Sequence, residues 1–289
     1  MLRTLRKPLS DRFAIIIANP GFNGGSPFVF SVGRAVNYEK SLDKNKGMIA
    51  MQLSSIVYDQ NGEEISEDFR SLLYSIGKLK KVEKDSFLFH EGMDAHEIYI
   101  IKSGIVHISK LTPDGKELSL RICTSNDIIG ELTLFTDNPK YFLSSRVIGS
   151  GEVLAIDRET LEKEIMKNST LAIEAMKWTS NHMRKFQSKI RDLLLNGKKG
   201  ALYSTLIRFS NSFGINKNNG ILINMPLTNQ ELSKFCSCTR ESVNRMLGDL
   251  RKLDIIEILP TKKILIKDLE YLKKENGCED CPIEICNIC

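Results

Sequence analysis

Seven residues constrain this chain more than any others. Ala172, Met176, Thr179, Met183, Phe186, Ile190 and Leu193 recur at alternating spacings of four and three, with polar or charged residues between them. That pattern is an a/d seam on one helix of about 28 residues between Ser169 and Asn196, about 42 Å long at 1.5 Å per residue. Asn196-Gly197 then stops the helix. A stripe of this kind can dock on the chain's own β domain. One this long and regular more often pairs with a second copy, so a homodimer is expected, with Met176, Met183, Phe186, Ile190 and Leu193 at its interface.

The seam divides two regions of different period. Before it, Phe87-Leu88-Phe89, Ile98 to Ile101, Ile105 to Ile108 and Leu118 to Ile122 are short apolar or alternating runs. Gly92, Ser103-Gly104, Pro113-Asp114-Gly115 and Asn126-Asp127 punctuate them. Many short strands with regular turns mean a β-sandwich or barrel. After the seam come a helix from Ala201 to Phe213, a strand from Ile221 to Met225 and two short helices. Two apolar runs, Ile255 to Leu259 and Ile264 to Ile266, then flank the basic turn Pro260-Thr261-Lys262-Lys263 and read as a β-hairpin. The whole is an α+β chain.

The two short helices carry the clearest local chemistry. Thr228 caps the first, and Glu231 three residues on completes a capping box. Leu232 and Phe235 face inward. Thr239 caps the second helix, whose Val243, Met246, Leu247 and Leu250 form a buried face. Its outer face presents Arg240, Glu241, Asn244 and Arg245, the residue types that read guanine, cytosine and adenine edges in a major groove. An ordinary solvated helix face has similar content. The caps, the turn and the following hairpin together favour a winged helix-turn-helix, with Thr228, Thr239, Lys262 and Lys263 added to the expected DNA-contacting set. The net charge of 41 basic against 36 acidic residues permits such a partner without requiring one.

Four of the seven cysteines, Cys278, Cys281, Cys286 and Cys289, lie in the last twelve residues. Structural zinc usually joins two C-x2-C knuckles across a loop of about 12–20 residues, longer than the gap here. Closely spaced cysteines with a following Pro282 are more like an iron–sulfur run, where thiolates surround one compact cluster. Zinc, a disulfide pair and free surface thiols are the competing readings. Cys123, Cys236 and Cys238 are expected to be buried core thiols.

Arg3, Arg6 and Lys7 imitate a signal peptide's basic start, but the apolar run that follows is only Ala14 to Ala18 and no small-residue cleavage site closes it. No stretch approaches the roughly 20 apolar residues of a membrane span. A cytoplasmic protein without a membrane partner is expected, where clustered thiols bind metal or sense redox state more often than they form disulfides. Residues 1–50, glycine- and proline-interrupted and ending in a charged run, read as a poorly ordered or non-native extension, with Met51 an alternative start. Four histidines, no nucleophile motif and no glycine-rich phosphate loop give no support to an enzyme, the alternative from that class being an iron–sulfur oxidoreductase.

Phe89-His90-Glu91-Gly92, Ile98 to Gly104, and Gly130-Glu131-Leu132-Thr133-Leu134-Phe135 occur in order, followed by Leu227 to Leu232 and Thr239 to Arg245. Together they resemble the CRP/FNR superfamily of bacterial transcription regulators, from about residue 54 to the C-terminus. The resemblance implies a cyclic-nucleotide-binding-like β-roll (jelly roll) over 51–165 and a dimerisation helix over 166–197. It further implies a winged helix-turn-helix over 198–270 and a cysteine-rich tail over 271–289. Its partners would be double-stranded DNA and RNA polymerase. Members that bind cyclic AMP hold the phosphate with an Arg-Ser pair. Tyr141 and Phe142 stand there, and Arg146 is out of register, so no cyclic nucleotide is expected. Arg240 before Glu241 resembles the cyclic AMP receptor branch and implies TGTGA-type inverted repeats.

The tail resembles the bacilli-type Fnr branch, whose members hold a [4Fe-4S] cluster with three tail cysteines and an aspartate from the end of the dimer helix. Cys278, Cys281 and Cys286 match that spacing and Asp192 matches the aspartate, with Cys289 as reserve ligand and prone to fray. The resemblance implies an oxygen-responsive regulator of anaerobic genes. A zinc- or thiol-switched regulator is the alternative.

Overall fold

Ser66 opens the first helix, α1 (Glu67–Ile76), by accepting a hydrogen bond from Phe69 N at 3.1 Å; the helix buries Phe69 and Leu73. The structure, a computed structural model, describes residues 65–278 and 281–289. These all lie in one unit of the fold, Ile49–Cys289. The expected extension over 1–50 and the alternative start at Met51 fall outside the described residues.

Six strands follow: β1 (Lys78–Val82), β2 (Phe87–Phe89), β3 (Glu97–Leu111), β4 (Glu117–Cys123), β5 (Ile128–Ile129) and β6 (Ser144–Asp157). They pair antiparallel in the order β1-β6-β3-β4, with β2 on β6 and β5 on β3, so β4 is an edge. The sequence led us to expect two strands over Ile98–Ile101 and Ile105–Ile108. They are one 15-residue strand, β3. Gly104 explains the difference: it takes φ 95° at a register shift, and a Cβ there would stand 2.6 Å from Gly149 O on β6. The glycine makes a bulge where a turn was expected.

Helix α2 (Arg158–Met166) returns the chain to α3 (Ser169–Leu195), 27 residues, capped by the Asn168 side chain on Thr170 N. Two stripes run along α3. Ala175, Trp178, His182, Lys189 and Asp192 face inward, Trp178 packing 6.2 Å from the Phe69 ring. The heptad stripe lies beside it, with Met176, Met183 and Ile190 at 72%, 48% and 52% exposure. Those three seam residues face outward, while Ala172 and Leu193 of the same seam pack against the chain's own cores and Phe186 lines a cavity of the β-roll.

Gly197, at φ 57°, breaks the helix and α4 (Gly197–Phe213) begins at once. The C-terminal domain adds β7 (Gly214–Lys217), β8 (Gly220–Ile223), α5 (Asn229–Phe235), α6 (Arg240–Lys252), β9 (Ile256–Ile258), β10 (Ile264–Ile266) and α7 (Leu269–Glu275). Its sheet has the order β7-β8-β10-β9. The capping box on Thr228 is complete and Thr239 caps α6 on Ser242 N. The expected hairpin forms, with Ile264, Leu265 and Ile266 opposite Ile258, Glu257 and Ile256. Strand β7 and helices α1, α2 and α7 had no reading in the sequence.

The β-roll and the C-terminal domain share a core, in which Ile105 and Ile122 pack with Leu202, Leu206, Phe209 and Phe235. Helix α5 rests on β4, where Lys234 Nζ meets Glu117 Oε2 at 2.6 Å. Lys189 bridges the same contact, donating to Leu120 O at 2.7 Å beneath the Phe235 ring. Among the described residues no helix is long and apolar enough to cross a membrane.

Candidate functional site

Helix α6 buries Val243, Leu247 and Leu250, and that packing turns Arg240, Glu241, Asn244 and Arg245 outward, all four exposed. Asn244 Oδ1 accepts from Asn229 Nδ2 of α5 at 3.0 Å, which registers the two helices of the motif. At the wing, Lys262 is exposed in a left-handed turn, while Lys263 is tied down, donating to Asn224 Oδ1 at 2.6 Å. Thr228 spends its hydroxyl on Glu231. The surface thus offers two guanidiniums, a carboxylate, an amide and one free wing lysine, arranged as a helix that enters a major groove would require.

The second site is built around Asp192, 4% exposed on the inner face of α3. Its Oδ2 accepts from Ser204 Oγ at 2.6 Å and from Arg208 Nη2 at 2.8 Å, both on α4. Its Oδ1 accepts from Arg191 Nε and Nη2 at 3.2 and 3.1 Å. Burial alone would lift this carboxyl. The Ser204 hydroxyl and the Arg208 guanidinium outweigh it and hold the carboxyl below its usual range.

Cys278, Cys281 and Cys286 gather at the same place. Cys281 Sγ lies 3.9 Å from Arg191 Nη2. Cys278 Sγ lies 3.8 Å from Asn276 Nδ2, and Asn276 O accepts from Asn196 at the α3–α4 junction at 2.9 Å. Burial pushes the Cys286 thiol up, and the charges of Asp192, Cys278 and Cys281 add to it against Arg208. Burial raises Cys278 too, with Asp192 and Cys281 adding. Thiols so placed give up their protons when a cation compensates them. As they stand, no three His, Cys, Asp or Glu side chains among the described residues are drawn tight enough to hold a metal ion. The donor set of three half-buried thiols and a carboxylate nonetheless suits an iron–sulfur group. Arg191, whose side chain is about a third exposed, donates to the Asp192 oxygen that such a group would need.

Cys289 is elsewhere. Burial lifts its thiol well above the usual range, with Asp127 and Cys123 of the β-roll contributing. The expectation that it frays is corrected: Ile288, 1% exposed, donates to Ser212 Oγ at 2.9 Å and accepts from Ile122 N at 3.2 Å, so the tail joins the open edge of β4. Cys123 and Cys236 are buried as expected. Cys238 is only half-buried, because Ser237 takes φ 48° and carries it onto the turn between α5 and α6.

Sequence reasoning missed Arg208, Ser204, Ser188 and Arg191. A signal existed for the first: Arg208 is the one cation in the run Ala201 to Ser210, which α4 buries from end to end.

In the β-roll, Glu131 is buried between Arg121 Nη1 at 3.0 Å and His182 Nδ1 of α3 at 2.9 Å. Burial would raise its carboxyl; His182 and Arg121 pull it down to about 2. Tyr141 stacks on Phe89 at 3.8 Å and donates to Glu97 O at 2.5 Å, while Phe142 is exposed. The cavity beside them is lined by Phe89, Ile129, Leu132, Tyr141, Phe142 and Phe186 together with that ion pair. An anion entering it would find an arginine already neutralised.

Comparison with known proteins bears on both regions. Residues 79–168 match the cyclic nucleotide-binding domain family and residues 201–275 the Crp-like helix-turn-helix domain family. The chain is 58% identical over 232 residues to the anaerobic regulatory protein of Bacillus subtilis (strain 168), covering 80% of this chain and 98% of that protein. It is 28% identical over 187 residues to the CRP-like cAMP-activated global transcriptional regulator of Mycobacterium tuberculosis (strain ATCC 25618 / H37Rv), covering 65% and 83%. The solved structure of FixK2 from Bradyrhizobium japonicum shares the fold, with a TM-score of 0.60 at 18% identity over 70% of this chain and 98% of that one.

Proposed function

The chain belongs to the CRP/FNR family of transcription regulators, and we propose that it is a cytoplasmic, oxygen-responsive, non-enzymatic member. In this reading it binds DNA as a homodimer when Cys278, Cys281, Cys286 and Asp192 hold a [4Fe-4S] cluster. The observation that carries the reading is that Arg191 meets both Asp192 and Cys281, and Arg208 meets both Asp192 and the carbonyls flanking Cys286, while the chain next to Cys289 pairs with the β-roll. The relative named as an anaerobic regulatory protein supports the physiological setting.

Such a cluster, when bound, supplies an oxygen-labile joint between thiolates and a carboxylate, and the carboxylate is the more weakly held of the two ligand types. The chain does the rest. Asp192 stands at the end of the dimer helix, and the three thiols lie on the tail that follows the winged domain. Holding them together fixes α6 relative to the dimer axis, which sets the separation of two recognition helices at about one helical turn of DNA. Arg240 and Arg245 then bond guanines and Glu241 accepts from a cytosine in TGTGA-type inverted repeats, and RNA polymerase is recruited to the assembled dimer. Cyclic nucleotide has no part, because Arg121 and His182 already occupy Glu131 and no guanidinium stands at Tyr141 or Phe142.

Anaerobic reconstitution tests the core of this. A brown dimer with four irons and four sulfides per chain (the count a cubane requires), bleached by air and binding an inverted-repeat duplex more tightly than its apo form, is expected. Equal DNA affinity of the two forms defeats the switch. A colourless protein holding zinc moves the reading to a zinc-held regulator. Calorimetric titration with cyclic AMP is expected to give no heat of binding.

A further inference from the structure

Arg208 is among the largest fully buried side chains, 1% exposed, and its three nitrogens are all engaged. Nε donates to Ser204 Oγ at 3.2 Å, within α4. Nη2 donates to Ser188 Oγ and Asp192 Oδ2 on α3, each at 2.8 Å. Nη1 donates to Ile285 O at 3.1 Å and Asn287 O at 3.4 Å, the two carbonyls that flank Cys286. One planar group therefore joins the dimer helix, the first helix of the DNA-binding domain and the cysteine tail. Only a guanidinium has the donor count and fixed fork to do this.

The pattern is asymmetric at Asp192. Oδ2 is saturated by Ser204 and Arg208, two buried donors, whereas the partner of Oδ1 among the described residues is Arg191, whose side chain is partly exposed. A carboxylate held in this way cannot rotate without breaking two buried bonds, so one oxygen is kept for structure and the other is left for a ligand. The same guanidinium sets the backbone on either side of Cys286.

We infer that Arg208 is the positioning residue of the tail site: it presents Asp192 Oδ1 and the Cys286 thiol to the same bound group and couples that group to α4. The inference rests on the cluster reading of the site. Groups that orient metal ligands in this way typically contribute about 10–100-fold to metal affinity. A purely structural arginine would instead stabilise the fold without affecting what the site holds.

Arg208→Lys keeps the charge and loses the fork. The variant is expected to keep wild-type helicity and dimer mass as apo-protein, yet to retain at least tenfold less iron and sulfide after anaerobic reconstitution, or to bleach at least tenfold faster in air. Ser188→Ala, which removes one of the fork's anchors on α3 with no change of charge, is expected to bleach about threefold faster at an unchanged apo melting temperature, and it decides the matter should Arg208→Lys fail to fold. Wild-type occupancy and bleaching rate in a folded Arg208→Lys, or in Ser188→Ala where the lysine variant does not fold, would overturn the inference. Wild-type protein that takes up no cluster at all would remove the reading beneath it, a failure distinguishable because it appears before any variant is made.

Discussion

Two buried carboxylates, Glu131 in the β-roll and Asp192 at the end of α3, are each held by an arginine, and they have opposite chemistry available to them. Glu131 is enclosed on both sides, by Arg121 from β4 and His182 from α3, in a pocket otherwise apolar and aromatic. Asp192 is buried as well, but its partners differ by oxygen: Oδ2 is committed to buried Ser204 and Arg208, while Oδ1 accepts from the partly exposed Arg191, which also faces Cys281. A carboxylate with all its charge matched by buried partners is structural, because exchanging any partner leaves an unpaired buried charge. A carboxylate with one oxygen matched by a partly exposed guanidinium beside a thiol has a ligand-type neighbour that Glu131 lacks. On the proposed reading, the tail and not the β-roll pocket is the sensing site.

That contrast can be broken at several points. Cys286→Ser should abolish cluster uptake, read as iron content and visible absorbance after anaerobic reconstitution, while leaving the β-roll's thermal transition in place; full uptake would make the tail as inert as the pocket. Glu131→Ala should strand Arg121 and cost about 3–5 kcal/mol in denaturant unfolding, without affecting iron uptake by the protein that remains folded. The same carboxylate predicts the acid limb. Its pKa falls from the ordinary 4.5 to about 2 on folding, so its stabilisation is complete above pH 4.5 and is lost as the pH falls toward 2. Glu131→Gln should flatten that limb, and an unchanged slope would mean the pair is not charged as drawn. Arg240→Ala touches neither carboxylate and should cost about 1–3 kcal/mol of binding to a TGTGA-type site, relaxing specificity at one position; unchanged affinity would remove Arg240 from the base-reading set. Cys289→Ser should have the smallest effect, leaving iron content unchanged, whereas loss of the cluster would make Cys289 the fourth ligand in place of Asp192.

Much of this was legible in the chain because it rests on local spacing. The heptad positions from Ala172 to Leu193 define α3, Thr228 with Glu231 and Thr239 define the ends of α5 and α6, and Asn196-Gly197 defines the break. Each depends on residues within a turn or two of one another. The strand readings failed at Gly104 because a bulge and a turn both ask for glycine, and only pairing with β6 distinguishes them. Cys289 was misjudged for a similar reason: a terminal residue frays unless something at long range holds it, and β4 with Ser212 does. Helices α1, α2 and α7 are short and amphipathic, and what holds them is tertiary packing more than propensity.

The sequence by itself determined the helix that carries the seam, the recognition helix with its four outward side chains, and the cysteines available to a ligand. These follow from periodicity and spacing, which the chain carries locally. Only the tertiary structure decided which carboxylate is paired inside the β-roll and which stands beside the tail thiols. That choice is made by Arg121, His182, Ser204 and Arg208, which approach from distant elements. Burial then sets the strength of each charge pair through the loss of water, and no window of sequence contains that information.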